Sequence, residues 1–187
     1  MKHAFVALMT LVLLGFTAGA LAQPVAANSS VILQSSHPAV SMFVLPNGTG
    51  TPLGACYGPG GVPASVTILV TIRDASGLPV SGVTERDIRI AHAGTGMVWC
   101  ADAFYPPPPH APNCADVPTN NAGQTVFSLP YHGGGWHNTG MQIWVREASG
   151  LFAPMAPVLP VNMNSCDLNG DLMVNLSDVV TFTMDLQ

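Results

Sequence analysis

Oxygen-bearing side chains recur at short intervals near the end of the chain, between residues 167 and 178. Numbered as a 12-residue loop, they occupy positions 1, 3, 5, 9 and 12, and position 7 would contribute a backbone carbonyl. A loop with this spacing wraps a hard cation with oxygen ligands, as Ca²⁺ requires. The spacing predicts a Ca²⁺ site whose ligands are Asp167, Asn169, Asp171, Met173, Asn175 and Asp178.

Charge and helix signals in the same segment favour this interpretation over a solvated acidic tail. Four of the ten acidic residues lie between residues 167 and 187, and carboxylates gathered in one loop repel one another unless a cation neutralises them. Val174 is expected to point into a small core, and Phe182 follows at a helical position. Asn175 is suited to cap that helix, with Asp178 in its first turn.

The segment resembles one repeat of a dockerin, the calcium-binding module of secreted bacterial proteins, whose pattern is Asp-x-Asn-x-Asp-Gly-x-Val-Asn-x-x-Asp-Val. The matching residues are Asp167, Asn169, Asp171, Val174, Asn175, Asp178 and Val179. Leu172 stands where the family has a turn glycine. Holding a leucine at positive φ costs roughly 1–2 kcal/mol, so we expect the substitution to weaken the metal site.

Dockerins contain two such repeats packed together, whereas this sequence reaches Gln187 within what the resemblance gives as the first helix. We therefore expect a single, incomplete repeat over residues 164–187. A second repeat would imply a cohesin-like or cell-surface protein as the partner. Alone, the repeat would serve as a calcium-stiffened terminus.

A second candidate for chemistry is Trp136, which follows the glycines of residues 133–135 and is flanked by His132 and His137. An exposed indole would stack on a sugar ring, which predicts polysaccharide binding by an accessory protein of a polysaccharide-degrading system. The alternative is a wide hairpin whose tryptophan covers the edge of the fold. Trp99 and Trp144 lie on strand patterns and are interpreted as core.

The rest of the chain is predicted to be all-β. Residues 66–73 alternate apolar and polar side chains, the period of a strand with one buried face. Similar short runs predict further strands at residues 30–34, 39–45, 87–91, 97–100, 124–129 and 141–146. Seven or eight strands between about residues 30 and 148 are typical of a β-sandwich.

The order of these strands resembles bacterial immunoglobulin-like modules of the invasin and intimin type. The similarity lies in residues 66–74 (VTILVTIRD), followed by 77–80 (GLPV), and in residues 119–127 (TNNAGQTVF), where Asn120 replaces the family's common Asp. The resemblance implies an Ig-like β-sandwich that acts as an extracellular structural or spacer module.

Domain boundaries follow from composition. Residues 1–22 have the basic start, apolar run and small-residue cleavage site of a signal peptide, although a membrane anchor is the alternative. Residues 28–148 form the predicted sandwich, residues 149–163 a proline-rich linker, and residues 164–187 the calcium loop and helix. We expect a protein that is secreted or held at the cell surface.

Export to an oxidising compartment would allow the four cysteines to pair: Cys56, Cys100, Cys114 and Cys166. Four cysteines can form two disulfides in three ways, and Cys100 with Cys114 is the best local pair. Zinc binding is the alternative, but the spacing contains no Cys-x-x-Cys motif.

Composition also limits the function classes. Only 8% of residues are charged, and Arg73, Arg86, Arg89 and Arg146 are the only permanent cations after the predicted leader. Nucleic acid and, after leader cleavage, membrane surfaces are therefore poor partners. Glu85 and Glu147 could be paired as a glycosidase would require, but nothing around them indicates a cleft, and we expect a protein that is not an enzyme.

Overall fold

The computed structural model describes residues 22–46, 50–92, 96–99 and 113–185. The predicted leader up to residue 21 and Cys100 lie outside these ranges. Within them the regular structure is almost entirely strand, which confirms the all-β class. In chain order the elements are β1 Ser30–Ser35, β2 Val40–Val44, β3 Cys56–Tyr57, β4 Pro63–Ala64, β5 Val66–Thr71, β6 Ile88–His92, β7 Met97–Trp99, β8 Gln124–Phe127, β9 Gly133–Gly135, β10 Met141–Arg146, β11 Phe152–Pro154, β12 Val161–Ser165 and helix α1 Leu176–Asp185.

The first sheet is antiparallel and has the strand order β1-β5-β8. Its central strand β5 shows the predicted alternation, since Val66, Ile68 and Val70 are fully buried while the residues between them are partly exposed. Burying one such side chain stabilises the fold by about 1.5–3 kcal/mol relative to leaving it exposed. This sheet supplies one wall of the hydrophobic core.

The second sheet is also antiparallel and has the order β11-β10-β6. On its central strand β10, Met141, Ile143 and Val145 are fully buried. Trp144 alternates with them and lies on the other face, where it is partly exposed, so its interpretation as core was wrong. Trp99 is partly buried and packs against the core.

Residues 149–163 were expected to be a linker, but they contain β11 and the start of β12. Met155 and Leu159 are buried, and their N–H groups donate to the carbonyls of Ile143 (2.8 Å) and Met141 (2.6 Å). The prolines of this segment, Pro154, Pro157 and Pro160, lack an N–H group and flank or separate the two residues that donate to the sheet. This spacing lets a proline-rich segment run along β10.

A four-stranded and a two-stranded sheet complete the described fold. Strand β12 pairs in parallel with β2, which continues to β3 and β4 in the order β12-β2-β3-β4. Strands β7 and β9 form an antiparallel pair, and β9 consists of the three glycines of residues 133–135. The end of β12 and the surface of β9 position the terminal loop.

Candidate metal centre

The terminal loop begins directly after β12 and packs against β9. The backbone N–H of Gly135 donates to the Asp167 carbonyl (2.6 Å), and the Asp167 N–H donates to Ser165 Oγ (3.1 Å). A Cβ atom on Gly134 would overlap the Asp167 carboxylate, so only glycine permits this approach. Asp167 is fully buried as a result. The glycine-rich segment, expected to be a hairpin loop, is a buried strand against which the first predicted ligand lies.

The Asp167 carboxylate organises the first half of the loop. Its Oδ1 accepts hydrogen bonds from the N–H groups of Gly170 (2.9 Å) and Asp171 (3.2 Å). Its Oδ2 accepts one from Leu172 N–H (2.9 Å). These charge-assisted bonds fold residues 167–172 around a single side chain, which accounts for a buried carboxylate with no basic partner.

Leu172 takes the left-handed conformation that the loop requires at its sixth position, with φ of 66°. It is the only residue other than glycine with positive φ among the residues that the structure describes. This confirms the expected conformation of Leu172, whose cost is roughly 1–2 kcal/mol. The hydrogen bond from Leu172 N–H to Asp167 Oδ2 holds the residue in this strained conformation.

Asp178 closes the loop from its other end. Its Oδ1 accepts from the N–H groups of Leu168 (2.8 Å) and Asn169 (3.3 Å), and its Oδ2 from Asn175 N–H (2.8 Å). The bond from Asn175 is the main cause of a lowered pKa for Asp178; desolvation opposes it, and the bonds from Asn169 and Leu168 add to it. The carboxylate on the first turn of α1 therefore ties the helix to the start of the loop.

The middle ligands form a chain of shorter contacts. Asn169 Nδ2 donates to Asp171 Oδ2 (3.0 Å), and the Asp171 N–H donates back to Asn169 Oδ1 (3.0 Å). Asp171 Oδ1 accepts from Met173 N–H (2.9 Å), and Asn175 Oδ1 accepts from Ser177 N–H (2.8 Å). Asn169, Asp171 and Asn175 are exposed. The structure thus brings Asn169 and Asp171 into direct contact, while Met173 and Asn175 join the other ligands through backbone amides.

The donor set suits a hard cation. It offers carboxylate and amide oxygens. Asp167 Oδ2, Asp171 Oδ1 and Asp178 Oδ2 each accept one N–H bond and retain a second lone pair, whereas Oδ1 of Asp167 and Oδ1 of Asp178 each accept two. In the described ranges, the ion pairs are Arg86 with Glu85 and Arg146 with Asp87, so no basic side chain neutralises the loop. The same ranges contain no group of three or more His, Cys, Asp and Glu side chains placed to hold a metal. The predicted Ca²⁺ ligands are not limited to these residue types, because they include the side-chain oxygens of Asn169 and Asn175 and the backbone carbonyl of Met173.

Apolar residues of the segment are more exposed than expected. Val174 is 57% exposed, so its expected burial in a small core was wrong. It and Leu172 instead border a cavity of about 530 Å³ beside Phe43, Leu45 and Cys166. Val179 of α1 is 54% exposed, and the side chains of Phe182 and Leu186 lie outside the described residues. Among residues 167–180, the buried side chains are the carboxylates of Asp167 and Asp178.

The second candidate, Trp136, directly follows β9. Trp136 is 49% exposed, and its backbone N–H donates to the Gly96 carbonyl (3.2 Å). His137 is buried, and its Nε2 lies within hydrogen-bond distance of the Gly140 carbonyl (2.6 Å) and Thr139 Oγ1 (3.1 Å). This histidine therefore has a structural role, and the indole is the accessible group.

The predicted Cys100–Cys114 pair cannot be followed, because Cys100 is outside the described ranges. Cys56 and Cys166 are free thiols. Burial raises the pKa of Cys56 to about 12, and its Sγ donates to the Leu53 carbonyl (2.9 Å). Cys56 is therefore a core residue with an unreactive thiol.

No model of a known protein family matches the chain, and no curated protein or solved structure is significantly similar to it. None of the helices in the described ranges is both long and apolar enough to cross a membrane.

Proposed function

We propose that this protein is a secreted, non-catalytic structural or attachment module: an Ig-like β-sandwich with a C-terminal dockerin-like loop that binds Ca²⁺. The observation that carries the proposal is the closed loop between Asp167 and Asp178, in which both buried carboxylates accept backbone N–H bonds from the 12-residue segment that they delimit. In an attachment role, a cohesin-like or cell-surface protein is the partner if a second repeat is present.

Strand order supports the Ig-like part of the proposal. In the Ig fold, strands A, B and E share one sheet and strands C, F and G share the other. The order β1-β5-β8 corresponds to A-B-E, and β11-β10-β6 corresponds to G-F-C. The buried alternation of the central strands β5 and β10 fits two sheets that face a common core.

In this proposal the ion is held by oxygens of Asp167, Asn169, Asp171, Asn175 and Asp178 and by the Met173 carbonyl. When bound, Ca²⁺ supplies the positive charge that the loop lacks. The residues of the chain position the site: Gly134 admits Asp167, and Asp178 ties α1 to Leu168. The ion would therefore fix the orientation of α1 relative to β9 and present the helix as an attachment surface.

Calorimetric titration of the purified chain with Ca²⁺ tests the proposal. We expect one ion per chain and no binding by Asp171→Ala, because this variant lacks one carboxylate ligand. Asp171 is exposed, so its loss leaves the buried carboxylates and the fold of the loop in place. Asp74→Ala is the matched control, since Asp74 also accepts turn N–H bonds, from Ser76 and Leu78, but lies outside the loop. Absence of heat at millimolar Ca²⁺, or equal binding by Asp171→Ala, would refute the proposed site.

Carbohydrate binding is a second candidate function, favoured by the half-exposed indole of Trp136 beside β9. Retention on insoluble polysaccharide that is lost in Trp136→Ala would support it. Leu151→Ala is the control, because Leu151 is an exposed apolar side chain at 72% exposure in another part of the fold. If the parent protein is not retained on polysaccharide, carbohydrate binding is refuted and only the structural role remains.

A further inference from the structure

Three of the four arginines in the chain meet at one cavity of about 630 Å³ on the outer side of the second sheet. Its polar lining consists of Thr84, Glu85, Arg86, Asp87, Arg89 and Arg146. Arg89 lies on β6 and Arg146 on β10, while Arg86 lies in the turn that leads into β6. Such convergence is notable in a chain whose formal net charge is −5.

Arg89 is fixed in place, and no carboxylate of the described residues forms an ion pair with it. Its Nε donates to the Arg86 carbonyl (3.0 Å), and its guanidinium carbon lies 4.3 Å from the centroid of the Phe152 ring. Neither ion pair of the described residues involves it. Its two terminal amino groups are therefore available to an acceptor that enters the cavity.

Arg146 is held against the same ring. Its guanidinium carbon lies 4.6 Å from the Phe152 centroid, its Nε donates to Asp87 Oδ1 (2.8 Å), and its Nη1 donates to the Gly150 carbonyl (3.2 Å). Phe152 therefore orders two guanidinium groups that come from neighbouring strands. Because these side chains are already ordered, less side-chain conformational entropy is lost when a ligand binds.

The charge of the cavity sets the ligand class. Three arginines face two carboxylates, so the lining has a net positive charge within an acidic protein. The surrounding negative charge disfavours a long polyanion, whereas a single oxyanion fits the free face of Arg89. We infer that this cavity binds a small molecule through a single carboxylate or sulfate group, for which acidic sugars are suitable probes, and its volume is within the range of small-molecule sites.

The test is calorimetric titration of the full chain with galacturonate, galactose 6-sulfate and galactose. We expect one of the two anions, or both, to bind with an affinity that falls as salt is raised, and neutral galactose not to bind. Galacturonate alone would identify the carboxylate as the recognised group, and galactose 6-sulfate alone would identify the sulfate. Binding of neither anion, or equal binding of galactose, would overturn the inference.

Variants locate the binding. Arg89→Gln should weaken the preferred anion about tenfold or more, as expected for loss of a charge-assisted hydrogen-bonding pair. Arg89→Lys should retain part of the affinity, because lysine keeps the positive charge. It should not reach the affinity of the parent protein, because lysine lacks the planar guanidinium group that makes two parallel hydrogen bonds. Arg73→Gln is the matched control, since Arg73 bonds to the Gly77 carbonyl outside the cavity. An unchanged affinity in Arg89→Gln, or an equal loss in Arg73→Gln, would contradict the assignment.

Discussion

The β body, residues 22–165, and the terminal segment, residues 166–185, bury opposite kinds of side chain. In the body, Ile68 and Ile143 are fully buried within a continuous hydrophobic core. In the terminal segment, whose side chains are described as far as residue 180, the buried ones are Asp167 and Asp178, whereas Leu176 is 75% exposed. The body is therefore stabilised mainly by removal of apolar surface from water, and the segment by hydrogen bonds to carboxylates.

Among the described residues, the two regions approach each other at β9 and around the cavity that Leu172 and Val174 line with Phe43 and Leu45. The Asp167 backbone and carboxylate lie against Gly134 and Gly135, and a Cβ on Gly170 would be 3.3 Å from Val98 Cγ2. The contact at β9 consists of a backbone hydrogen bond and close packing of a carboxylate on glycines, so it removes little apolar surface from water. We therefore expect the segment to respond to metal and acid more strongly than the hydrophobic core of the body.

The largest effect is expected for Ile143→Ala in the core of the body. Removing a fully buried isoleucine leaves a cavity and should lower the free energy of unfolding by about 2–5 kcal/mol. Urea denaturation followed by tryptophan fluorescence measures it. The Ca²⁺ affinity of the folded variant should be unchanged, and a parallel loss of affinity would show that the regions are not separate.

Gly134→Ala should separate the regions by disrupting their contact. The added methyl group would overlap the Asp167 carboxylate, and such overpacking costs about 1–3 kcal/mol. Amide hydrogen exchange should show lost protection at Leu172, whose N–H bonds to Asp167, with little change in β5. Gly54→Ala is the control, since its new Cβ would lie 3.7 Å from the nearest atom, the Val66 carbonyl oxygen. Equal effects of the two variants would contradict the proposed docking.

Leu172→Gly should stabilise the terminal segment alone. Glycine relieves the positive φ but loses more entropy on folding, so the net gain is about 1 kcal/mol. That gain corresponds to roughly fivefold greater exchange protection at the loop amides. Reduced protection would indicate that the leucine side chain contributes more than its backbone costs.

The smallest effect is the acid response of Asp178 in calcium-free buffer. Its pKa is lowered from the ordinary value of 3.8 because Asn175 N–H bonds to the ionised form, with further bonds from Asn169 and Leu168. The carboxylate thus stabilises the loop fully above pH 3.8, and this stabilisation is lost as the pH falls through the lower folded pKa. NMR shifts of the Leu168 and Asn175 amides should report the transition, which Asp178→Asn should lack.

Local periodicity sufficed for the strands that span the core. The alternation at residues 66–73 and 141–146 predicted β5 and β10, because one face of each strand meets the core along its whole length. The loop spacing likewise predicted the positive φ of Leu172. These features depend on residues close together in sequence.

Features set by distant partners were not predictable in this way. The proline-rich segment was expected to be a linker because its composition does not reveal that Met155 and Leu159 pair with β10. The glycines of β9 receive Asp167, which lies far along the chain. Three successive glycines were nevertheless a signal of close backbone approach. The arginine cavity depends on the alignment of β6, β10 and β11.

The most direct test of the account is a Ca²⁺ titration of the ¹⁵N-labelled chain followed by NMR. We expect the amides of Leu168, Leu172 and Asn175, which bond to the two buried carboxylates, to shift with one equivalent of Ca²⁺ while the β5 amides remain in place. Loop amides that stay unchanged at millimolar Ca²⁺, or that shift equally in Asp171→Ala, would contradict it.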